Sequence, residues 1–266
     1  MEPIRIIVRG AIGRIGREVC RSLRFEHDFK LVGAVVSPRQ RERVITFIHT
    51  TEEFDQVVVS DNLEFVINQC QPDVMVDFTS ASEAMPAVRT AACNKVNQVI
   101  GTTGFSNNDI AEMRKLAESN GIGILLVSNF ALGAVLMMHL SRIAARYMES
   151  SEIIELHHNR KADAPSGTAF STAGTMVETR IKGDSLSKDT GEISRGERVD
   201  GTAIHSIRLP GLMAHQEVVM GTAGQTLSIK HDIYSPECYV KGVFLAIRQA
   251  VVRKGFTNSL DELIGL

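Results

Sequence analysis

The sequence lacks tryptophan, and only 5% of its 266 residues are aromatic. Its four cysteines, at positions 20, 70, 93 and 238, lie far apart and form no CxxC pair. This spacing favours reduced thiols, so we expect a cytoplasmic protein. No apolar run approaches the roughly 20 residues of a membrane-spanning helix, and residues 4–8 are too few for the apolar region of a signal peptide. We therefore expect neither a membrane span nor a signal peptide.

An excess of charge of one sign is also absent. Lys and Arg number 29 and Asp and Glu number 31, which leaves a formal net charge of −2. This balance gives no electrostatic reason to expect nucleic acid or an acidic membrane as a partner. With 44% hydrophobic and 23% charged residues, the composition is ordinary for a soluble globular protein of one or two domains.

Strands and helices are predicted to alternate over the first half of the chain. The predicted strands are 4–9, 30–36, 56–60, 73–78, 98–101 and 123–127. The predicted helices between them are 17–25, 62–69, 82–93 and 107–120. Strands interleaved with helices predict an α/β fold with a Rossmann-like, doubly wound parallel sheet. We assign residues 1–129 to this domain.

The second half has a different pattern. A helix over 131–148, a strand over 151–158 and a helix over 168–181 precede a polar segment, 182–200, which is a candidate flexible loop or lid. Three alternating runs then follow with short turns between them, at 202–209, 215–220 and 225–231. They predict an antiparallel or mixed sheet and therefore a second, α+β domain at 130–237. The helix predicted at 240–251 lies in a C-terminal segment, 238–266, that we expect to pack back on the first domain.

Three glycines stand at the first junction between a strand and a helix. Gly10, Gly13 and Gly16 form a G-x-x-G-x-x-G variant of the dinucleotide fingerprint. Glycine lets the backbone approach a pyrophosphate that binds at the helix N-terminus. Tight turns also use glycine for purely steric reasons, so at this point both explanations stay open.

The loop after the second strand bears on the choice of cofactor. Dinucleotide-binding folds usually place an acidic residue here, which holds the ribose hydroxyls, whereas an arginine accommodates a 2′-phosphate. This chain has Ser37 instead, followed by Arg39, Arg41 and Arg43. The pattern predicts a preference for NADPH, with Arg39 as the contact because it lies nearest the strand end. The alternative is a solvated basic loop.

The densest set of reactive side chains lies in residues 155–169, ELHHNRKADAPSGTA. His157, His158 and Lys161 precede a predicted helix whose first N–H groups, at 166–168, can bind a carboxylate or phosphate. All of these groups could therefore bind the same small anionic ligand. Against this, adjacent strand residues point to opposite faces, so at most one histidine reaches a site unless the strand ends there. We expect no metal, because Asp163 is the only carboxylate after the pair and no cysteine is near.

Together these motifs resemble the 4-hydroxy-tetrahydrodipicolinate reductase family, also called dihydrodipicolinate reductases, of lysine and diaminopimelate biosynthesis. The matching pieces span nearly the whole chain in order: 10–16, 101–105, 129–130, 155–161, 163–168 and 208–215. The resemblance implies an NAD(P)H-dependent reduction of 4-hydroxy-tetrahydrodipicolinate, a cyclic dicarboxylate, to tetrahydrodipicolinate and water. It also implies a homotetramer built by the sheet of a second, substrate-binding domain.

The resemblance further implies roles for individual residues. His157 is the expected proton donor or acceptor, and Lys161 an expected proton donor. The substrate carboxylates are expected at His158, Gly167 and Thr168, to which the helix-start argument adds Ser166. The expected cofactor residues, with Ser37 and Arg39 from the loop argument, are Gly10, Ala11, Ile12, Gly13, Arg14, Ile15, Ser37, Arg39, Gly101, Thr102, Thr103, Val127, Ser128, Asn129 and Phe130.

Two positions depart from the family pattern: Ser37, where an acid is often found, and Pro236. Pro236 stands where the family commonly carries an arginine that helps to bind a substrate carboxylate, which predicts a high KM unless another cation compensates. Two other functions stay open at this point: a different two-domain NAD(P) dehydrogenase of a small dicarboxylate, and a catalytically idle nucleotide-binding relative. Lys161 argues against the idle relative, and the pairing of the histidines with Ser-Gly-Thr argues against a generic dehydrogenase.

Overall fold

The computed structural model describes residues 2–48, 57–177, 193–199 and 201–266. The chain divides into two compact units, one of Met1–Leu132 with Pro236–Leu266 and the other of Gly133–Ser235. Each unit contains one sheet with helices packed on it. No helix among the described residues is long and apolar enough to cross a membrane.

The strands are numbered in chain order. Those of the described residues are β1 (Ile4–Arg9), β2 (Phe29–Val35), β3 (Val58–Ser60), β4 (Val74–Asp77), β5 (Asn97–Ile100), β6 (Gly123–Leu126), β7 (Ser150–His157), β8 (Glu197–Val199), β9 (Thr202–Arg208), β10 (Ala214–Thr222), β11 (Gln225–Ile233) and β12 (Gly255–Thr257). The helices are α1 (Arg14–Leu23), α2 (Arg41–Ile48), α3 (Leu63–Cys70), α4 (Ala81–Cys93), α5 (Asn107–Asn120), α6 (Leu132–Ala144), α7 (Gly167–Val177), α8 (Val240–Val252) and α9 (Asp261–Ile264).

The first unit has a seven-stranded sheet in the order β12-β6-β5-β4-β1-β2-β3, and every pairing in it is parallel. Its central strand β4 is buried along its whole length, because helices cover both faces of such a sheet. The order doubles back from β1, with β2 and β3 on one side and β4, β5 and β6 on the other. The predicted Rossmann-like class is confirmed. Ligands of such sheets bind at the carboxyl ends of the strands where the order reverses.

Three elements of this unit differ from the sequence prediction. Helix α2, after a 3-10 turn at Pro38–Gln40, occupies a stretch that we predicted as a loop. Its buried side chains are Val44 and Ile48, four residues apart, and the arginines around them concealed this amphipathic pattern. Strand β12 and helix α9 were not predicted, since both are too short to show a period. Residue 56, predicted to begin the third strand, lies outside the described residues.

The second unit has a five-stranded mixed sheet in the order β11-β10-β7-β9-β8. Strand β7 runs antiparallel to β10 and parallel to β9, so the predicted mixed sheet is confirmed. Helices α6 and α7 pack on one of its faces. The core between them is made by the buried side chains Met137, Ala145, Ile153, Ala169, Ala173, Met176, Ile204, Val218 and Met220.

The predicted end of the helix over 131–148 was wrong. Helix α6 ends at Ala144 rather than at residue 148. Beyond it, the backbone forms hydrogen bonds between residues three apart, such as that from Tyr147 N to Ala144 O (2.9 Å), instead of the four-residue bonds of an α-helix. The candidate lid at 182–200 lies outside the described residues except for its end. There, residues 193–195 form a 3-10 turn, and β8 pairs with β9 through Val199 opposite Thr202.

Candidate active site

In the first unit, the loops after β1, β4 and β5 surround a cavity of about 450 Å³. Its lining includes six of the predicted cofactor residues: Gly13, Arg14, Ile15, Gly101, Thr102 and Thr103. It also includes four that sequence reasoning missed: Phe78, Thr79, Ser80 and Ala81. The signal for these four was available, because they lie at the carboxyl end of the predicted buried strand 73–78, but the sequence analysis did not single them out.

The glycine motif has both a steric and a ligand-facing part. Gly10 has a φ of +78°, and a Cβ atom there would lie 2.6 Å from the carbonyl oxygen of Phe78. A Cβ on Gly16 would lie 2.2 Å from the carbonyl oxygen of Gly10, so both positions need glycine for packing alone. Gly13 is different: it is exposed, lines the cavity and begins α1 with no side-chain cap on the helix.

The start of α1 suits a bound pyrophosphate. Its first turn has no acidic residue and begins with Arg14, and its first N–H groups have no partner within the helix. Gly101, which also lines the cavity, must be glycine for packing, since a Cβ there would lie 2.3 Å from the ring of Phe78 and 2.9 Å from that of Phe130. The residues of this cavity therefore fit a dinucleotide.

Asp77, at the end of β4, was not singled out by the sequence. Its side chain is fully buried and pairs with Arg9 through Oδ2. Its Oδ1 accepts hydrogen bonds from the backbone N–H (2.9 Å) and hydroxyl (2.7 Å) of Thr79 and from the hydroxyl of Thr102 (2.9 Å). One carboxylate thus joins two of the loops that line the cavity.

The other predicted cofactor residues lie elsewhere. Within the described part of the chain, the cavity lining does not include Gly10, Ala11, Ile12 or residues 127–130. Ala11, Val127 and Phe130 have buried side chains, so they can contribute only backbone groups or packing. Ser37 and Arg39 lie just past the carboxyl end of β2, and both are exposed. No hydrogen bond or ion pair links Arg39 to another described residue.

In the second unit, β7 brings Glu155 and His157 to one face, because residues two apart on a strand point the same way. The strand ends at His157, so His158 is free of the alternation that would otherwise turn it to the opposite face. The Nδ1 atom of His158 is buried and has no hydrogen-bond partner among the described residues.

Glu155 is the centre of a buried ionic group. Its side chain is fully buried and accepts two hydrogen bonds from Arg208, at 2.7 and 2.9 Å. The same carboxylate contacts Nδ1 of His157. Burial raises the pKa of Glu155, but the hydrogen bonds from Arg208, Ser206 and His157 outweigh burial and hold this pKa below its usual range. Burial lowers the pKa of His157 more than the contact with Glu155 raises it.

Lys161 and the start of α7 complete this region. Nζ of Lys161 donates to Asp163 at 2.7 Å, and the hydrogen bond from Lys161 lowers the pKa of the Asp163 carboxyl. The hydroxyl of Ser166 accepts from Ala169 N at 3.2 Å and so caps α7 rather than facing a ligand. Gly167 is exposed, and a Cβ there would meet nothing within 4 Å. The N–H groups of Gly167 and Thr168 have no partner within the helix and can receive a carboxylate.

Pro236, where an arginine was expected, begins a 3-10 turn at Pro236–Tyr239 and supplies no cation. Among the described residues of the second unit, the cations near His157 are Lys161 and Arg208. Arg208 belongs to the matching segment 208–215, but the sequence alone did not indicate its role. Its partner Glu155 is 53 positions away, and no local pattern connects the two.

Comparisons with known proteins agree across the whole chain. Residues 4–130 match the family model described as dihydrodipicolinate reductase, N-terminus, and residues 133–264 match the one described as dihydrodipicolinate reductase, C-terminus. A 4-hydroxy-tetrahydrodipicolinate reductase from Dehalococcoides mccartyi (strain CBDB1) is 48% identical over 269 residues and covers 100% of both chains. One from Moorella thermoacetica is 42% identical and covers 98% of both.

Solved structures give the same result. A dipicolinate-bound dihydrodipicolinate reductase from Paenisporosarcina sp. TG-14 has a TM-score of 0.86 and 36% identity, covering 98% of this chain and 99% of that one. An amine dehydrogenase from Mycobacterium smegmatis, with a TM-score of 0.69 and 16% identity over 97% of this chain and 95% of that one, shows a shared fold alone.

Proposed function

The chain belongs to the dihydrodipicolinate reductase family, and on that premise we propose that it reduces 4-hydroxy-tetrahydrodipicolinate to tetrahydrodipicolinate and water, using NADPH in preference to NADH. The observation that carries this proposal is the grouping in the second unit. His157 contacts the buried Glu155, and Lys161 lies in the loop that leads to α7, where the N–H groups of Gly167 and Thr168 have no partner within the helix. A generic dehydrogenase of a small acid does not need this combination.

The substrate is a dianion, so its site must supply cations and N–H donors. Lys161 and the first N–H groups of α7, at Gly167 and Thr168, provide them on one loop and one helix start. We assign His158 to the same task, since the strand ends before it. Ser166 contributes indirectly by capping α7.

The substrate first loses its 4-hydroxyl group as water, which leaves a conjugated imine, and the nicotinamide cofactor, when bound, would supply a hydride to that imine. Negative charge then builds on the substrate, and a positioned acid that quenches it contributes about 10² to 10⁴ in rate. His157 and Lys161 are the two groups that we assign to this proton transfer. His157 presents Nε2 for it, because Nδ1 is engaged by Glu155.

The cofactor would lie in the cavity of the first unit. Of residues 10–15, which we assign to its pyrophosphate, 13–15 line this cavity at the start of α1, as does the loop at 101–103, and Thr79 and Ser80 would be further contacts. The proposed preference for NADPH has two grounds. Ser37 stands where an acidic residue would repel the 2′-phosphate, and the exposed guanidinium of Arg39 can bind that phosphate.

We also propose that the protein is a cytoplasmic homotetramer that assembles through the sheet of the second unit. The face of this sheet opposite α6 and α7 carries Ile154, Leu156, Ile207 and Val219, all of them partly exposed. A cluster of apolar side chains of this kind is typical of a subunit interface. Leu156→Asp should reduce the molar mass measured by light scattering, and an unchanged mass would contradict this interface.

Steady-state kinetics test the proposed activity. The substrate is generated in the cuvette from pyruvate and aspartate semialdehyde by the enzyme that condenses them, and NADPH oxidation is followed by absorbance. We expect NADPH oxidation only when pyruvate, aspartate semialdehyde and the condensing enzyme are all present, and none with pyruvate alone. Cofactor binding without turnover would instead identify an idle relative, and oxidation with other dicarboxylates alone would identify a different dehydrogenase.

A further inference from the structure

Glu155 and Arg208 form a charged pair that is more enclosed than the pairs on the protein surface. The Glu155 side chain is 0% exposed, and Arg208 is 18% exposed. Both guanidinium Nη atoms reach the carboxylate, at 2.7 and 2.9 Å. Such bidentate hydrogen bonds hold a buried carboxylate in its ionised form, because the cation offsets the loss of hydration.

An ionised carboxylate can only accept hydrogen bonds, and this determines the state of His157. The Nδ1 atom of His157 contacts Oε2 of Glu155, so Nδ1 must carry a proton. In the neutral ring, Nε2 is then the nitrogen without a proton, and in the cation it is the one that can give its proton away. A catalytic histidine held by a buried carboxylate works in the same way in hydrolases.

Arg208 also connects this pair to the loop that carries Lys161. Its Nη2 donates to the carbonyl oxygen of Asp163 at 2.8 Å, and the Asp163 side chain accepts from Lys161 at 2.7 Å. One guanidinium is therefore shared by the carboxylate under His157 and by the backbone beside Lys161. Apolar residues of similar volume often stabilise a protein as well as a buried salt bridge does. Stability alone therefore does not account for the second contact of Arg208.

We infer that Glu155 and Arg208 are positioning residues of the proton transfer: Glu155 holds the proton of His157 on Nδ1 so that Nε2 faces the reaction, and Arg208 holds Glu155 and the Lys161 loop together. This inference rests on the proposed function, in which His157 exchanges a proton with the substrate. Neither residue needs to touch the substrate.

The charges around His157 give the sign of the pH effect. Glu155 raises its pKa, while burial, Lys161 and Arg208 lower it, and on β10 its neighbour is the uncharged Ala214. Removing the Glu155 charge therefore lowers the pKa of His157. The protonated ring is lost as pH rises through that pKa, so the high-pH limb of kcat/KM should move to lower pH, by about one unit or more.

The first test is Glu155→Gln, which removes the charge at nearly constant volume. We expect kcat to fall at least about tenfold, with NADPH affinity unchanged and the high-pH limb displaced downward. The matched control is Glu152→Gln on the same strand. Glu152 also contacts an arginine and a histidine, Arg195 and His205. It lies on the opposite face of the sheet, however, and its side chain is 38% exposed. The loss of its charge should therefore leave kcat and the pH profile unchanged.

Glu155→Gln leaves the Arg208 charge buried without its partner, which can prevent folding. The double variant Glu155→Leu/Arg208→Met removes both charges and is expected to keep its melting temperature. Nitrogen NMR of the His157 ring, recorded without substrate, then reports the tautomer and the pKa directly. We expect Nδ1–H in the wild type, and loss of this preference with a lower pKa in the double variant.

The outcomes separate the two proposals. A double variant with the wild-type tautomer, pKa and kcat would overturn the positioning role. A wild type that shows Nδ1–H on His157 but does not turn over the dicarboxylate would instead refute the proposed function, while the effect of Glu155 on the ring would still stand.

Discussion

The hydroxyl of Thr102 donates a 2.9 Å hydrogen bond to the buried carboxylate of Asp77, which ties the loop after β5 to the end of β4. Both loops that meet at this carboxylate line the proposed cofactor cavity, through Thr79 and Thr102. Asp77 is also paired with Arg9, so its charge is balanced and Oδ1 is available to the two threonines. The shape of the cavity therefore depends on a residue that lies beneath it.

Thr102→Val removes this hydrogen bond while keeping the side-chain volume. A hydrogen bond to a charged group contributes about 1.5 to 3 kcal/mol, so we expect NADPH to bind roughly tenfold more weakly and the protein to be less stable. Titration by fluorescence and thermal unfolding measure the two effects. Thr90→Val is the control, because its hydroxyl donates to Pro86 O (3.1 Å) within helix α4. Equal NADPH affinity in Thr102→Val and wild type would contradict the role of this contact.

His157→Gln and Lys161→Ala test the proton transfer. Each should lower kcat by about 10² or more, because a positioned proton donor is lost, with little change in the dissociation constant of NADPH. Arg160→Ala, which removes an exposed cation from the same loop, should keep wild-type turnover. Stopped-flow kinetics with saturating substrate separate chemistry from binding. Wild-type turnover in both variants would refute the assignment.

Arg39→Ala tests the cofactor preference. One charge-assisted contact to the 2′-phosphate contributes about 1.5 to 3 kcal/mol, so kcat/KM for NADPH should fall roughly ten- to a hundredfold while that for NADH stays the same. Lys30→Ala removes an exposed cation at the opposite end of β2 and should affect neither cofactor. The prediction fails if the wild type uses NADH and NADPH equally, or if the arginine variant loses both activities to the same extent.

Gly167→Ala tests the start of α7 as the carboxylate site. A Cβ there meets no protein atom within 4 Å, so the fold should be retained, but the methyl group would occupy space near the first N–H groups. We expect the KM for the dicarboxylate to rise several-fold with an unchanged KM for NADPH. Gly174→Ala in the same helix also meets nothing within 4 Å, and it should stabilise the helix by about 0.5 to 1 kcal/mol without changing KM. Equal KM values in the two variants would place the substrate elsewhere.

Several features could be predicted from the sequence because they depend on neighbouring residues. Strand β1 and helix α5 have the predicted bounds, since a β-branched run and a capping box with Ser106 and Asp109 are local signals. The parallel class of the first sheet follows from the alternation of strands and helices. The motif at 155–168 is contiguous, so its chemistry could be identified before its geometry was known.

Other features depend on residues that are distant in sequence. Arg208 lies 53 positions after Glu155, and Thr102 lies 25 positions after Asp77, yet both pairs are in hydrogen-bond contact. Only the register of β7 with β9 places Arg208 beside His157, and only the neighbouring positions of β4 and β5 bring Thr102 to Asp77. A buried charge needs a partner, but any of several arginines satisfies that need until the strands are paired. Local patterns thus determined the elements and the reactive side chains, whereas strand pairing decided which buried charges hold them in place.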